Sequence, residues 1–141
     1  MIEICFVCTG NTCRSVMAER IAKKKAKKRK LDFKFSSAGL FAKKENITEN
    51  AKYALKTLGF DARDRKSVKL KKPKPNVLYV CVTNDHKKMI DAKRVISFEE
   101  LSGRVPDPFG CDEKTYLETA KQIEENVDVL LDKLEKLRGE K

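Results

Sequence analysis

The opening of this chain constrains its fold more than any other feature. Ile2-Glu3-Ile4-Cys5-Phe6-Val7-Cys8 is short and nearly continuous in apolar residues. It reads as a strand buried on both faces, as in a parallel sheet. The run passes without a spacer into Thr9-Gly10-Asn11-Thr12, which is turn chemistry. A helical pattern follows at once, with Val16, Met17, Ile21, Ala22 and Ala26 on one side and lysines opposite.

The rest of the chain keeps this alternation. Leu31 to Ser36 reads as a second strand, with Leu31, Phe33 and Phe35 on one face, and Ser37-Ala38-Gly39 as a turn. Thr48 to Leu58 reads as a helix with Ala51, Ala54, Leu55 and Leu58 inward, and Gly59 is placed to end it. Lys71-Lys72-Pro73-Lys74-Pro75 cannot lie inside a helix and reads as a connector into a third strand, Val77 to Val82. A short helix over Asn84–Ala92, a fourth strand over Arg94–Phe98, a loop over Gly103–Gly110 and a long helix over Asp112–Leu137 complete the order. The expected architecture is α/β: a three-layer sandwich with a mostly parallel four-stranded sheet flanked by helices.

Composition narrows the function classes. The 141 residues suffice for one domain with a core and are too few for two. No apolar run approaches the roughly 20 residues of a membrane span. Met1 to Gly10 lacks the pattern of a secretory signal, so a cytoplasmic protein is expected. Five cysteines, an odd number, argue against a disulfide scaffold and for thiol chemistry or burial. The single histidine, His86, excludes any metal site with two imidazole ligands. A net charge of +11 attracts anions, and the excess is concentrated in Lys23–Lys30 and in Lys69, Lys71, Lys72 and Lys74. These blocks read as a solvated helix face and a solvated loop, or as surfaces that steer an anionic partner. Enrichment in Lys and Glu, no Trp and the single Gln122 also fit a thermophile's surface.

The chemistry sits in Cys8-Thr9-Gly10-Asn11-Thr12-Cys13-Arg14-Ser15. A tight loop entering a helix points successive backbone N–H groups at one spot beside the positive end of the helix dipole. That spot binds a phosphate-like oxyanion. Thr9, Gly10, Asn11, Thr12 and Cys13 supply the cradle, Cys8 lies at its base, and Arg14 can grip two oxygens in bidentate fashion. Gly10 and Asn11 tolerate the positive φ angles such a loop needs. The same donors favour the thiolate of Cys8, and the Ser15 hydroxyl can add a hydrogen bond to its sulfur. A thiolate facing a held phosphoryl group is a nucleophile aimed at phosphorus.

Such a nucleophile needs a proton donor for the leaving group. Asp107-Pro108-Phe109-Gly110 follows the fourth strand, and loops at the carboxyl ends of parallel strands share one edge of the sheet. Pro108 restricts the backbone of Asp107. The expected reaction has two steps, transfer of the phosphoryl group to Cys8 with Asp107 as acid, then hydrolysis of the thiophosphate with Asp107 as base. No metal or cofactor is required.

The anion loop, then Met17-Ala18-Glu19, Ser37-Ala38-Gly39 and Asp107-Pro108-Phe109-Gly110 together resemble the low-molecular-weight protein tyrosine phosphatase family. The resemblance covers essentially residues 1–141 as one domain. It implies Cys8 as nucleophile, Arg14 as phosphate clamp, Ser15 as thiolate support and Asp107 as general acid and base. Tyrosine-specific members usually carry a bulky aliphatic residue at the position of Thr12 and Tyr at that of Phe109, whereas the protein arginine phosphatase branch looks like this chain at both. The expected substrate is therefore phosphoarginine on proteins, with phosphotyrosine as the alternative. A third branch, the thioredoxin-coupled arsenate reductases, relays thiol chemistry through two further cysteines after the third strand, a spacing that Cys81 and Cys111 do not reproduce.

The chain departs from the family at Val16, where Pro is frequent, and at Arg65-Lys66-Ser67, where a histidine that braces the anion loop is typical. Lys69 to Asn76 is shorter and more prolyl than usual. In relatives the counterpart of the Cys8–Cys13 pair can form a reversible disulfide, which makes Cys13 the candidate redox partner. Cys5, Cys81 and Cys111 are expected to be structural, His86 to lie on a solvent-exposed helix with a Cys–His dyad as the alternative, and Tyr116 to be core. The expected partners are phosphorylated proteins, with the chain a monomer that binds neither a membrane nor a specific nucleic acid. The rival class is a basic nucleic-acid-binding module using Lys23–Lys30, which lacks any groove-reading or stacking pattern.

Overall fold

Four parallel strands lie side by side in the order second, first, third, fourth, so the first strand sits inside the sheet and the chain leaves it in both directions. In this computed structural model, which describes residues 2–139, the strands are β1 (Glu3–Cys8), β2 (Lys34–Gly39), β3 (Val77–Cys81) and β4 (Val95–Ser97). The helices are α1 (Arg14–Lys28), α2 (Glu49–Thr57), α3 (Asn84–Lys88) and α4 (Glu113–Gly139), with a single 3-10 turn at Phe98–Glu100. From β1 the chain crosses to β2 on one side and returns past β1 to β3 on the other. The carboxyl end of β1 is thus a switch point, where the loops diverge and leave a crevice.

Each sheet face buries a different set of β1 residues. Ile4, Phe6 and Cys8 join the larger core under α1, α2 and α4, where Phe6 packs 6.2 Å from Phe35 and 6.3 Å from Phe98. Cys5 and Val7 join a smaller cluster with Ala38, Tyr79, Cys81 and Ile90 on the opposite face, lined further by Leu40 and Leu70. The α/β sandwich with a four-stranded parallel sheet is therefore as expected, with one thick helical layer and one thin layer. Burial pushes the thiols of Cys5 and Cys81 up, to about 11 and about 12, as expected of structural cysteines.

Several boundaries differ from the sequence reading. Strand β2 begins at Lys34, not Leu31, and Ser37-Ala38-Gly39 is strand rather than turn. The cause is the end of α1. Lys30 turns left-handed at φ +58, and Leu31 N–H closes onto the Ala26 carbonyl, so Leu31 belongs to the helix stop. Pairing with all six residues of β1, from Glu3↔Lys34 to Cys8↔Gly39, then carries β2 through the expected turn. Helix α3 ends at Lys88, and β4 spans only three residues.

The first lysine block is not a purely solvated face. Lys25 pairs with Glu124 and Asp128 at 2.9 Å each, and Arg29 with Asp132 at 2.6 Å, which clamps α1 to α4. Lys23 is held by Glu19 at 2.6 Å, and the Lys24 ammonium lies 5.4 Å from the centre of the Phe60 ring. No helix among the described residues is long and apolar enough to cross a membrane.

Candidate active site

Cys8 is the last residue of β1 and Arg14 the first of α1, so the five residues between them must turn the chain within one short loop. Backbone bonds tether it from outside: Leu40 N–H donates to the Cys8 carbonyl at 3.0 Å, Phe41 N–H to that of Thr9 at 2.9 Å and Thr48 N–H to that of Thr12 at 3.0 Å. Asn11 is left-handed at φ +56, as its type tolerates. Gly39 packs beneath the loop so closely that a Cβ there would stand 2.7 Å from the Thr9 carbonyl oxygen and 2.8 Å from Asn11 N. Only glycine permits that approach.

The hydrogen bonds around Asn11 fix the orientation of its amide. Val68 N–H can only donate, and it reaches Asn11 Oδ1 at 2.9 Å, as does Arg65 Nη1 at 3.0 Å. Asn11 Nδ2 is therefore the donor side, and it gives one hydrogen to Ser15 Oγ at 2.8 Å and the other to Ser37 Oγ at 3.0 Å. Ser15 Oγ lies 2.8 Å from Cys8 Sγ, and with Asn11 donating to its oxygen the Ser15 hydroxyl hydrogen is available to the sulfur when that sulfur is a thiolate. Asn11 N–H also reaches that sulfur, at 3.3 Å. Ser37, accepting from Asn11 and from Arg65 Nη2 at 2.5 Å, passes its hydrogen to Glu19 Oε1. Arg65 meets the same carboxylate at 3.3 Å. The network runs from the Glu19–Arg65 ion pair through Ser37, Asn11 and Ser15 to the sulfur of Cys8.

Arg14 is 6% exposed and anchored by one nitrogen to the Val105 carbonyl at 3.0 Å. Another nitrogen lies 3.7 Å from Asp107 Oδ2. Asp107 is half exposed, and its other oxygen accepts from Phe109 N–H at 3.0 Å, which aims the carboxylate along the loop. A cavity of about 260 Å³ opens above the sulfur, lined by Cys8 and residues 9–14 of the loop, by Asp107 and Phe109, and by Glu45, Asn46, Thr48 and Tyr116. The structure thus brings together every site residue expected from the sequence: Cys8, Thr9, Gly10, Asn11, Thr12, Cys13, Arg14, Ser15, Asp107 and Phe109. No three His, Cys, Asp or Glu side chains converge as a metal site among the described residues.

Several functional neighbours escaped the sequence reading. Glu19 lies one helical turn beyond Ser15, a spacing that could have revealed it. Arg65 was marked only by the family resemblance, as a departure at the place where relatives carry a loop-bracing histidine, because its partners are far away in the chain. His86 corrects an expectation: it is buried, its Nε2 meets Thr9 Oγ1 at 2.8 Å and its Nδ1 meets Thr83 Oγ1 at 2.7 Å. Desolvation, then the nearby Arg14 charge, pushes the imidazole down to about 4, so it is neutral at pH 7 and braces the loop through Thr9, not through the thiol. Cys111 is exposed, against the expected structural burial, because the loop ahead of α4 carries it outside both cores. Burial pushes the Cys13 thiol far up. Tyr116 is buried as expected but also forms part of the cavity wall.

Comparison with known proteins agrees with this geometry. The family model described as "Low molecular weight phosphotyrosine protein phosphatase" matches residues 3–140. A protein-arginine-phosphatase of Bacillus subtilis is 32% identical over 97% of this chain and 99% of its own length. The low molecular weight protein-tyrosine-phosphatase PtpB of Staphylococcus aureus is 30% identical over 86% and 91%. Among solved structures, a YwlE arginine phosphatase variant with a phosphorylated active-site serine in place of cysteine superposes with a TM-score of 0.86 at 31% identity, over 96% of this chain and 97% of the other. The chain belongs to the low molecular weight phosphotyrosine protein phosphatase family and is, by that kinship, a phosphoprotein phosphatase.

Proposed function

We propose that this protein hydrolyses phosphoarginine on proteins through a phosphocysteine intermediate. The sulfur of Cys8 attacks phosphorus while the P–N bond breaks, and Asp107 gives its proton to the departing guanidine nitrogen. Water then attacks the thiophosphate, Asp107 takes one of its protons, the P–S bond breaks, and Cys8 leaves as thiolate. Arg14 and the loop amides balance the charge spread over the phosphoryl oxygens in both steps. Ser15 supports the sulfur whenever it carries the negative charge. Peroxide oxidation of Cys8 to a sulfenic acid, followed by condensation with the Cys13 thiol and loss of water, would close a protective disulfide.

The observation that carries the arginine reading is the polarity of the cavity wall. Thr12 offers a hydroxyl, and two carboxylates, Asp107 and Glu45, border the space where a planar cationic group would sit. Phe109, the aromatic at the position of family specificity, is 79% exposed. The tyrosine reading draws on Phe109 and Tyr116 as aromatic walls and on the kinship to the Staphylococcus aureus enzyme. Arsenate reduction has no support in the cysteine placement, since Cys81 is buried within β3 and Cys111 lies on the loop that precedes α4.

The test is kcat/KM on phosphoarginine and phosphotyrosine peptides of one sequence. Arginine preference is expected, and Thr12→Ile should shift it toward phosphotyrosine. Equal shifts on both substrates would remove Thr12 from specificity. Cys8→Ser should abolish turnover while phosphate still binds. Asp107→Asn should slow turnover by about 10²–10⁴-fold, the usual worth of a general acid, and near-normal activity would place the proton donor elsewhere.

A further inference from the structure

The two lysine-rich regions have opposite fates. In the first, Lys23, Lys25 and Arg29 are paired with acidic residues of α1 and α4. In the second, residues 65–84 contain no Asp or Glu at all, and Glu3, which borders the same surface depression as Lys69, Lys71, Lys72 and Lys74, forms no ion pair with them within 4 Å. Lys43, Lys44, Lys69, Lys71, Lys72 and Lys74 are exposed, and among the described residues no carboxylate lies within 4 Å of any of their ammonium groups. These lysines are not scattered. Two segments, 42–44 and 67–71, face each other across a groove of about 600 Å³, more than twice the volume of the catalytic cavity. Ala42, Val68 and Leu70 give it an apolar floor, with Val68 48% exposed, and four lysines, Lys43, Lys44, Lys69 and Lys71, form its rim.

Backbone bonds fix this groove. Gly39 N–H donates to the Val68 carbonyl at 2.8 Å, Leu70 N–H to that of Gly39 at 2.9 Å and Ser67 N–H to that of Glu45 at 2.7 Å. The groove also shares a wall with the active site. Lys43 and Lys44 line the groove, while the next two residues, Glu45 and Asn46, line the catalytic cavity. A polypeptide leaving the cavity over Glu45 and Asn46 meets Lys44 and Lys43 of the groove next.

We infer that this groove docks an acidic segment of the protein substrate, flanking the phosphorylated residue presented to Cys8. The occupant is an extended chain with a run of Asp and Glu, whose carboxylates meet the lysine rim while its backbone and aliphatic atoms cover Val68. The inference rests on the phosphatase reading and adds a recognition element to it. Closely spaced unpaired cations raise the local concentration of such a segment and speed its encounter, an effect that salt screens.

The experiment compares two phosphopeptides with the same phosphorylated residue, one flanked by about four acidic residues and the other by Gly and Ser, with a set for each flank, at low and high salt. p-Nitrophenyl phosphate, which reaches only the cavity, reports the catalytic site separately. The expected result is about tenfold higher kcat/KM for an acidic peptide at low salt, collapsing toward parity at high salt. The triple variant Lys43→Glu, Lys69→Glu, Lys71→Glu should lose that advantage while keeping its activity on p-nitrophenyl phosphate. Equal rates for acidic and neutral peptides in the unaltered protein, or an advantage that survives the triple variant, would overturn the inference. So would a single-stranded oligonucleotide that displaces the unphosphorylated acidic peptide in a fluorescence-anisotropy titration at equal charge. If neither p-nitrophenyl phosphate nor any phosphopeptide is turned over, the phosphatase reading fails by itself. The groove is then judged by that titration alone, in which peptide binding lost in the triple variant sustains it and no binding removes it.

Discussion

Asn11 uses all four hydrogen-bonding positions of its side chain, two as acceptor and two as donor, and it does so while fully buried in a left-handed conformation. Two of its partners are backbone-fixed or covalently close, but Arg65 arrives from a loop 54 residues away. Arg65 therefore acts as a positioning residue: it touches no substrate, yet it sets the amide that sets Ser15, which sets the sulfur. Replacing it with Met leaves Glu19 with Lys23 as its cationic partner and removes a donor from both Asn11 and Ser37. A buried hydrogen bond to a charged group is worth about 1.5–3 kcal/mol, and if half of that is felt at the sulfur, kcat should fall by about 3- to 13-fold. Arg65→His separates bracing from mere packing. Protonated imidazole can serve Glu19 and Ser37, neutral imidazole serves them poorly, and histidine titrates near pH 6.5. The guanidinium stays charged throughout. The variant's kcat should therefore decline relative to the parent between about pH 6 and pH 8, and parallel pH profiles would show that Arg65 only fills space.

At the scale of elements, the anion loop is shaped as much by β2 as by its own residues. The last residue of β2, Gly39, sits under Thr9 and Asn11 with no room for a methyl group. Gly39→Ala should push the loop outward by several tenths of an ångström, because the contacted atoms are backbone and cannot swing away. Activity should fall by more than tenfold, since misplacement of about 1 Å can cost 10²-fold. Unchanged kcat/KM in a folded variant would mean that the loop tolerates displacement. The strand–turn–helix from Ile2 to Lys28 was legible in the sequence because each part is coded locally, by apolar run, by turn residues and by helical spacing. Cys8, Arg14, Ser15 and Asp107 were legible because their roles follow from residue type and from which edge of the sheet a loop must occupy. The role of His86 was not, and Arg65 was visible only as a departure from the family's loop-bracing histidine. A side chain that acts through contacts formed only after β1, β3 and the 61–68 loop converge leaves no periodic trace, and the burial of His86 on α3 depends on what covers it. The start of β2 was misplaced for a related reason: alternation at Leu31–Phe35 competes with a helix stop that is visible only as a backbone angle.

For the whole molecule, pH acts on the buried groups that are held in their neutral forms. His86 titrates near 6.5 when free and near 4 here, so the unfolded chain binds more protons than the folded one between those values. Stability therefore falls as pH drops from about 6.5 toward 4, by at most about 3 kcal/mol from this residue. Carboxylates held by partners, such as Asp61 at about 2 beside Arg63, add their loss only below about pH 4. On the alkaline side the signs reverse. Cys5 and Cys81 release protons at about 11 and about 12 instead of 9, so the unfolded chain ionises first and stability declines above pH 9. A plateau bounded near 6.5 and 9 follows, with its acid edge set by one imidazole. His86→Gln keeps a neutral donor and acceptor beside Thr9 and Thr83 but cannot take up the proton. Its urea midpoint should be somewhat lower at pH 7, where the imidazole bridge is lost, and should change little between pH 6.5 and pH 4.5, whereas the parent's falls steadily over that range. Parallel decline in both proteins would assign the acid edge to the carboxylates and leave the neutral, loop-bracing His86 without support.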